Sequence, residues 1–576
     1  MQKLFLAFFL LFVDLLHAQY FTKVTNTPIT SNVGDSRSVN WIDANNDGFV
    51  DCFMSNGPSG GQNNMLFLND GLGNFTSLTN DPIVMDNTPS DGATWADIDN
   101  DGDLDAFVVN WYGVNNLLYL NDGTGHFTQV LTGSLVNDGG YSETAAWGDY
   151  DKDGKVDLYV TNSDGTKKNF LYHNEGSATF TKISTGSMVT DAFFSRSVNW
   201  TDIDNDGNLD IFVTNEANQH ENLYKNEGSG TFTKLNTGAL LTNGGKTMSS
   251  SWGDYDNDGD LDVFLANNQG VNALFRNEGN FNFTKISNDT VTTTPAQSFS
   301  SAWSDIDNDG DLDLFVTNSF GTQLKNFLYL NNGNGSFTRN SSDPVTAGLD
   351  WSYGCAFGDY DNDGFEDLAV ATCRYNNADV PNLLFHNNGN NNHWITIKLI
   401  GTLSNTAAIG TKIRIKSTIN GVPTWQMREI SAQSSHCGQN DLRAHFGLGD
   451  ATIIDSIKIE WASGLQESFT QINANQFISI IEEYNSTYIP NAIQEALLIY
   501  PNPASDKIIL NLKGKPFTTH DVISIIDSQG KKVVEIPASQ TETIEINLKQ
   551  YVLSQGLYFI IVNGKNRFAV EKLQVK

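Results

Sequence analysis

The chain of 576 residues is poor in several things that define common protein classes. Four cysteines are too few for a disulfide-built scaffold. Lys and Arg number 34 against 67 Asp and Glu, a formal charge of −33, so the basic surface that nucleic-acid binding requires is missing. Beyond the opening twenty residues no stretch is apolar enough to span a membrane. The nine histidines, one in that opening segment, share no repeat position, and no H-E-x-x-H pair occurs, which removes the simplest zinc-hydrolase pattern.

Aspartate, by contrast, is abundant and patterned. Residues 305–313 read DIDNDGDLD: Asp305, Asp307 and Asp309 alternate, Gly310 follows, and Asp313 comes ninth. Carboxylates this close repel one another unless a cation lies among them, and oxygen donors at alternate positions before a glycine are the first half of a calcium loop. The helical form of that loop closes on a glutamate at position twelve. Here a strand-like LFVT follows the ninth position, so the expectation is a calcium-binding β-hairpin loop.

The same nine-residue spacing occurs seven times, starting at 43, 97, 149, 202, 254, 305 and 359, at intervals of 51 to 54 residues. The chain is therefore a repeat array. Two residues before each loop stands an aromatic: Trp41, Trp95, Trp147, Trp200, Trp252, Trp303 and Phe357. After it comes an uninterrupted apolar run, as expected of a strand covered on both faces. Next comes N-x-L, then N-x-G, then Phe-Thr, as in NLLYLNDGTGHFT at 116–128, which is strand, tight turn and strand. Each unit thus supplies four short strands, one propeller blade. Within the array Phe-Thr occurs seven times, but the first pair (21–22) has no turn before it and the last turn (382–390) has no pair after it. The first strand can complete the last blade, and closure removes exposed sheet edges. The expected fold is all-β, a seven-bladed β-propeller over 19–391.

These units resemble the FG-GAP or VCBS repeats found also in integrin α-chains, over residues 20–391. The resemblance implies side-chain calcium ligands at positions one, three, five and nine, with the position-seven carbonyl. In this sequence those side chains are Asp43, Asn45, Asp47 and Asp51; Asp97, Asp99, Asp101 and Asp105; Asp149, Asp151, Asp153 and Asp157; and Asp202, Asp204, Asp206 and Asp210. The later loops supply Asp254, Asp256, Asp258 and Asp262; Asp305, Asp307, Asp309 and Asp313; and Asp359, Asp361, Asp363 and Asp367. Up to seven Ca²⁺ are expected. Asn45 in the first loop, and Lys152 and Lys155 in the third, predict weaker binding there. Much of the net negative charge then belongs to metal sites.

Residues 1–18, a lysine and an apolar run ending at Ala18, read as a secretory signal peptide. Export suits calcium, because extracellular modules work with sites as weak as about 10⁻⁴–10⁻³ M. Cys355 and Cys373 flank the seventh loop, four residues before and six after it. A disulfide across the hairpin and two small buried apolar side chains are both open readings.

At 392–483 the repeat gives way to alternating β segments. The IG at 409–410, Arg428-Glu429, Ser431, Gln439, Asp441, HFGLG at 445–449 and W-x-S-G at 461–464 resemble the ASPIC/UnbV domain, which follows such repeats in cartilage acidic proteins. Residues 484–496 read as a linker. Residues 497–576, with Tyr500-Pro501-Asn502-Pro503-Ala504, Asp527, Gly530-Lys531 and Gly556-Leu557-Tyr558, resemble the C-terminal sorting domain of type IX secretion substrates, expected as an immunoglobulin-like β-sandwich. That resemblance implies passage through the type IX machinery to the medium or to the outer-membrane surface of a Gram-negative cell.

Two function classes remain. One is a non-catalytic, calcium-binding surface or secreted protein in adhesion or in recognition of an extracellular glycan or protein. Its contacts would come from inserts that differ between blades, such as 112–115 and 216–221. The other is a propeller enzyme acting on polysaccharide or ester. Its support is thin: GPSGG (57–61) matches G-x-S-x-G without a following helix, GGKT (244–247) has Leu240 where a phosphate loop begins with glycine, and Cys437, His436, His445 and Asp441 form a nucleophile-like set with no oxyanion element.

Overall fold

The computed structural model describes residues 19–321, 325–348, 351–374 and 378–482, and in the C-terminal stretch 493–494, 497–513, 515–519, 521–527, 532–551, 553, 555–563 and 567–576. The proposed signal peptide, most of the linker, Gly530 and Lys531 lie outside the described residues.

Each repeat folds into a four-stranded antiparallel sheet in sequence order. In the second, Ser90–Ala96 pairs with Asp105–Asn110, that with Leu117–Asn121, and that with Phe127–Val130. The apolar run Asp105–Asn110 is buried along its whole length, which is why it lacks polar alternation. Seven such sheets form, the fifth and sixth joined edgewise by the long strands Asp262–Val271 and Pro295–Ser304. In the last sheet the outer strand is Phe21–Val24, paired antiparallel with Leu383–Asn387 so that Phe21 faces Asn387. The innermost strands touch in succession from Asn40–Ile42 round to Ser352–Gly358, which touches Asn40–Ile42 again. The ring is closed, a β-propeller.

Between the first two strands of each sheet lies the acidic hairpin loop. Its fourth residue is left-handed, from Asn46 at φ +54° to Asn257 at +59°, a conformation asparagine tolerates. Lys152 takes the same place at +61°. The glycine at position six also needs positive φ, +102° at Gly310.

One asparagine per blade ties the ring. Asn226, on the third strand of the fourth sheet, donates from Nδ2 to the Leu209 carbonyl of its own loop (3.1 Å) and the Tyr150 carbonyl of the preceding blade's loop (2.8 Å), and its Oδ1 accepts from Gly228 N–H. Asn69, Asn121, Asn174, Asn277, Asn331 and Asn387 each reach one blade back in the same way. The tryptophans before the loops add a second tie. The Trp200 indole N–H donates to the Ala146 carbonyl (3.0 Å), and Trp41, Trp147 and Trp303 reach the preceding blade likewise.

No disulfide joins Cys355 and Cys373; both are free and buried. The hairpin register sets Cys355 opposite Val370 and Ser352 opposite Thr372, so the two cysteines are not cross-strand partners. Cys373 packs instead with Met248, Phe299 and Tyr353, and its thiol meets Ser319.

After the ring, His393–Ile400 runs between antiparallel Ala444–Gly449 and parallel Gln476–Ile481, and a second sheet orders Val422–Glu429, Lys412–Ile419, Ile453–Glu460 and Gln466–Asn473. Its isoleucines share one core with Ile98, Phe107, Trp147 and Leu158 of the second and third blades, so this domain packs as part of the propeller. The C-terminal stretch forms a five-stranded and a three-stranded sheet around a core of their own.

Replacing Asn226 by Ala strands two carbonyls and an amide between blades and is expected to cost about 2–4 kcal/mol. Urea unfolding against exposed Asn236→Ala, expected within about 0.5 kcal/mol of wild type, checks this.

Candidate metal centres

The loops hold their carboxylates by one pattern of bonds, from which only the fifth departs, where Asp254 accepts the Gly259 amide alone. The first aspartate accepts two loop amides: in the sixth loop Asp309 N–H to Asp305 Oδ1 (3.0 Å) and Gly310 N–H to Oδ2 (2.8 Å). The ninth aspartate is a clamp. Asp313 Oδ2 accepts the Ile306 amide at position two and Oδ1 accepts the Asn331 amide of the third strand, at 3.3 and 2.7 Å. Asp51, Asp105, Asp157, Asp210, Asp262 and Asp367 repeat it. Each clamped oxygen retains a lone pair.

The third position carries the sign of a cation. Asp99, Asp151, Asp204, Asp256 and Asp361 each have a buried Oδ1 with no hydrogen-bond partner, a costly arrangement repeated in five loops. Asp97, Asp99 and Asp101, and likewise Asp149, Asp151 and Asp157, place oxygens within 4.8 Å of one another. Burial, then neighbouring carboxylates, push Asp101 up to about 7, and Asp305 and Asp313 well above the usual range. For Asp105 burial also comes first, and its carboxyl rises to about 9. An oxygen-rich set of this kind fits a hard divalent cation such as Ca²⁺, which would keep the carboxylates ionised.

The loops are not equivalent, through a residue that sequence reasoning passed over. It is the one before the tying asparagine: Leu68, Leu120, His173, Lys225, Arg276, Leu330 and His386. Lys225 Nζ pairs with Asp204 and, at 3.3 Å, with Asp206; His173 Nε2 lies 3.1 Å from Asp151, and His386 Nδ1 lies 3.2 Å from Asp367. The signal was present as the contrast of YKNEG and YHNEG with YLNDG. Of the lysines expected to weaken the third loop, Lys155 pairs with Asp153, whereas Lys152 is exposed.

The domain after the ring sits on the loop face. Lys412 Nζ donates to the Asp202 carboxylate (2.8 Å) and Asn205, Arg414 to the Gly259 carbonyl, Arg443 to Asn362 and the Asp359 carbonyl, and His445 meets Asn308 at 2.7 Å. Thr406 donates to Asn100. Trp394 covers Gly364 so closely that a Cβ there would lie 1.8 Å from the indole. A cavity of about 660 Å³ remains over the first two loops, lined by Asp47, Asp101, Lys398, Arg443 and Lys572 among others.

From the same domain residues 432–441 enter the axial channel. Gln439 exchanges main-chain bonds with Val39 and Trp41, and its Oε1 accepts the Trp95 amide. Ser435 Oγ donates to the Cys355 carbonyl, Asn199 donates to the Gln433 carbonyl, and Phe357 N–H donates to Asn440. The nucleophile-like set is split: His445 lies among Thr396 and Asn308, Asp441 pairs with Arg443, and only His436 and Cys437 stay together in the channel. Ser59 lies in an exposed turn, and Thr247 opens a strand.

Fold and loops together define a β-propeller with a repeated acidic hairpin site, capped on the loop face. The model for the FG-GAP-like repeat matches 43–108, 104–160, 149–213, 202–265, 254–316 and 305–370, and the chain belongs to that family. The ASPIC and UnbV model matches 401–487, and the secretion system C-terminal sorting domain model matches 498–576. The sorting domain implies export to the cell surface or outer-membrane region, and no described helix is long and apolar enough to cross a membrane. Among curated proteins, cartilage acidic protein 1 of Xenopus tropicalis is 27% identical over 262 residues, 42% of this chain and 40% of that protein. The human protein of that name is 28% identical over 190 residues, 31% and 28% of the two chains. The chain thus spans well under half the length of these relatives. Among solved structures, PorZ, a surface component of the type IX secretion system of Porphyromonas gingivalis, aligns at TM-score 0.41 and 10% identity, over 96% of this chain and 60% of that one.

Without metal, the folded loops hold protons that the unfolded chain has lost above about pH 4. The metal-free fold is therefore expected to lose stability as pH rises from about 4 through the raised values of about 7 for Asp101, Asp149, Asp254 and Asp309. Calorimetry in EGTA should give a lower Tm at pH 8 than at pH 5.5, and excess calcium should abolish that fall. A chelated protein at least as stable at pH 8 would contradict it.

Proposed function

We propose that this protein is a calcium-stabilised, non-catalytic recognition module of the cell surface or the medium, binding an extracellular glycan or protein through the propeller face opposite its metal loops. The observation that carries the reading is the covering of the loop face by the second domain. The aspartates Asp43 to Asp367 and Asn45 then serve as calcium ligands that stiffen the ring, and the contact surface is the other end of the blades.

At that end the connections differ from blade to blade, as selective recognition requires. Trp111 packs edge-on against Tyr112 and Tyr141, with ring centroids 4.6 and 4.9 Å away, and Tyr112 is 44% exposed. Phe320, 40% exposed, packs on Phe299 and Trp351 across the face. Aromatic rings of this kind offer apolar area at low entropic cost. Of the 216–221 insert, Ala217, Asn218 and His220 are exposed, whereas Glu221 is buried, accepting from the Asn215 amide and Thr247, and holds the connection in shape.

A glycan and matrix-protein array with the full secreted chain tests this. Binding should need calcium, survive Leu403→Ser on the covered side, and fall at least tenfold in Tyr112→Ala and Phe320→Ala. Binding unaffected by both aromatic changes, or turnover of a polysaccharide or ester lost with one residue of this face, would overturn the reading.

A further inference from the structure

The tip of the channel segment carries a group of side chains that neither the loops nor the recognition face uses. His436 and Cys437 meet Asp91, on the innermost strand of the second blade, and one donor atom from each lies within 4.8 Å of the other two. All three residues are buried. His436 has no exposed surface, and neither ring nitrogen has a hydrogen-bond partner, although an imidazole out of water ordinarily makes at least one such bond. Beside Asp91 stands Glu143, 1% exposed, whose Oε2 is also buried without a partner.

The backbone is shaped for this meeting. Cys437 is left-handed at φ +56°, unusual for a side chain that offers no local hydrogen bond in return. Opposite it the chain has Gly92, where a Cβ would come 2.7 Å from Cys437 Cβ and 3.1 Å from its Sγ. Two guanidinium groups border the cluster: Arg196 pairs with Glu143 through Oε1 and with Glu216, leaving Glu143 Oε2 free, and Arg37 pairs with Asp35. Tyr353 and Phe299 wall the imidazole on its other sides, with centroids 5.3 and 6.3 Å away.

We propose that Asp91, His436 and Cys437, with Glu143 beside them, form a zinc site that locks the channel segment of the second domain to the propeller. Sulfur, imidazole and carboxylate are the donors of a borderline-soft ion in fourfold coordination and differ in kind from the all-oxygen loops. Coordination takes the thiolate of Cys437, and its proton leaves to solvent; His436 binds as the neutral ring. The site is structural, because it is closed on every side and leaves no position for substrate.

Full-length protein, purified without chelator and dialysed in millimolar calcium to saturate the loops, should retain about one zinc per chain by elemental analysis. Cobalt in place of zinc should give a thiolate-to-cobalt charge-transfer band in the near ultraviolet. His436→Gln and Cys437→Ser should each lower the zinc content at least tenfold, and Cys373→Ser should not. Because a core cysteine variant can fail to fold, the cobalt spectrum of the wild-type chain decides independently. Retention of no zinc, or cobalt binding without the thiolate band, overturns the site. Neither result bears on calcium in the loops, which is scored separately.

Discussion

The structure depends on crowded carboxylates being held where they cannot retreat into water. In six of the seven loops the first aspartate grips two turn amides, and in all seven the ninth grips one amide from the loop and one from the third strand, as Asp305 and Asp313 do in the sixth. Those bonds fold the hairpin and aim the acid oxygens at one point. Asparagines such as Asn226 and Asn331 then bond that hairpin to the one before it. A cation bound there would therefore do more than relieve local repulsion: it would set the shape of loops through which all neighbouring blades are joined.

The second consequence is the position of the ASPIC/UnbV domain. It shares a core with two blades, presents Lys412, Arg414 and Arg443 to the loops, and sends residues 432–441 down the axis. A surface rich in carboxylate is matched by basic side chains, as electrostatic complementarity demands. In the proposed function the covered loop face serves as scaffold, and the opposite face, with its unlike connections and paired aromatic rings, makes the contacts.

Much of this was legible in the sequence because the repeat writes it seven times. The nine-residue spacing gave the hairpin loop, the apolar runs such as Asp105–Asn110 gave the doubly covered strands, and the unpaired Phe21-Thr22 gave the closing strand. Three things were not read from it, each for a physical reason. Asn226 and its equivalents look like turn residues, since an N-x-G signal does not say that the side chain spans to another blade. Lys225, His173 and His386 lie on the third strand, some twenty residues from the carboxylates they face, so only strand register brings them there. Gln439, His436 and Cys437 are local neighbours in sequence, but their partners Trp95, Ser300 and Asp91 come from blades more than a hundred residues away. Sequence offsets likewise could not decide the pairing of Cys355, which a hairpin register gives to Val370.

The central claim is that metal ions occupy the acidic loops of the folded, exported chain. Equilibrium dialysis of the purified full-length protein against radioactive calcium, at micromolar to millimolar free ion, tests it most directly. The account predicts saturation at about six or seven ions per chain, with Lys225 making the fourth loop the weakest. A correctly folded protein that binds fewer than about one ion per chain over that range would contradict it.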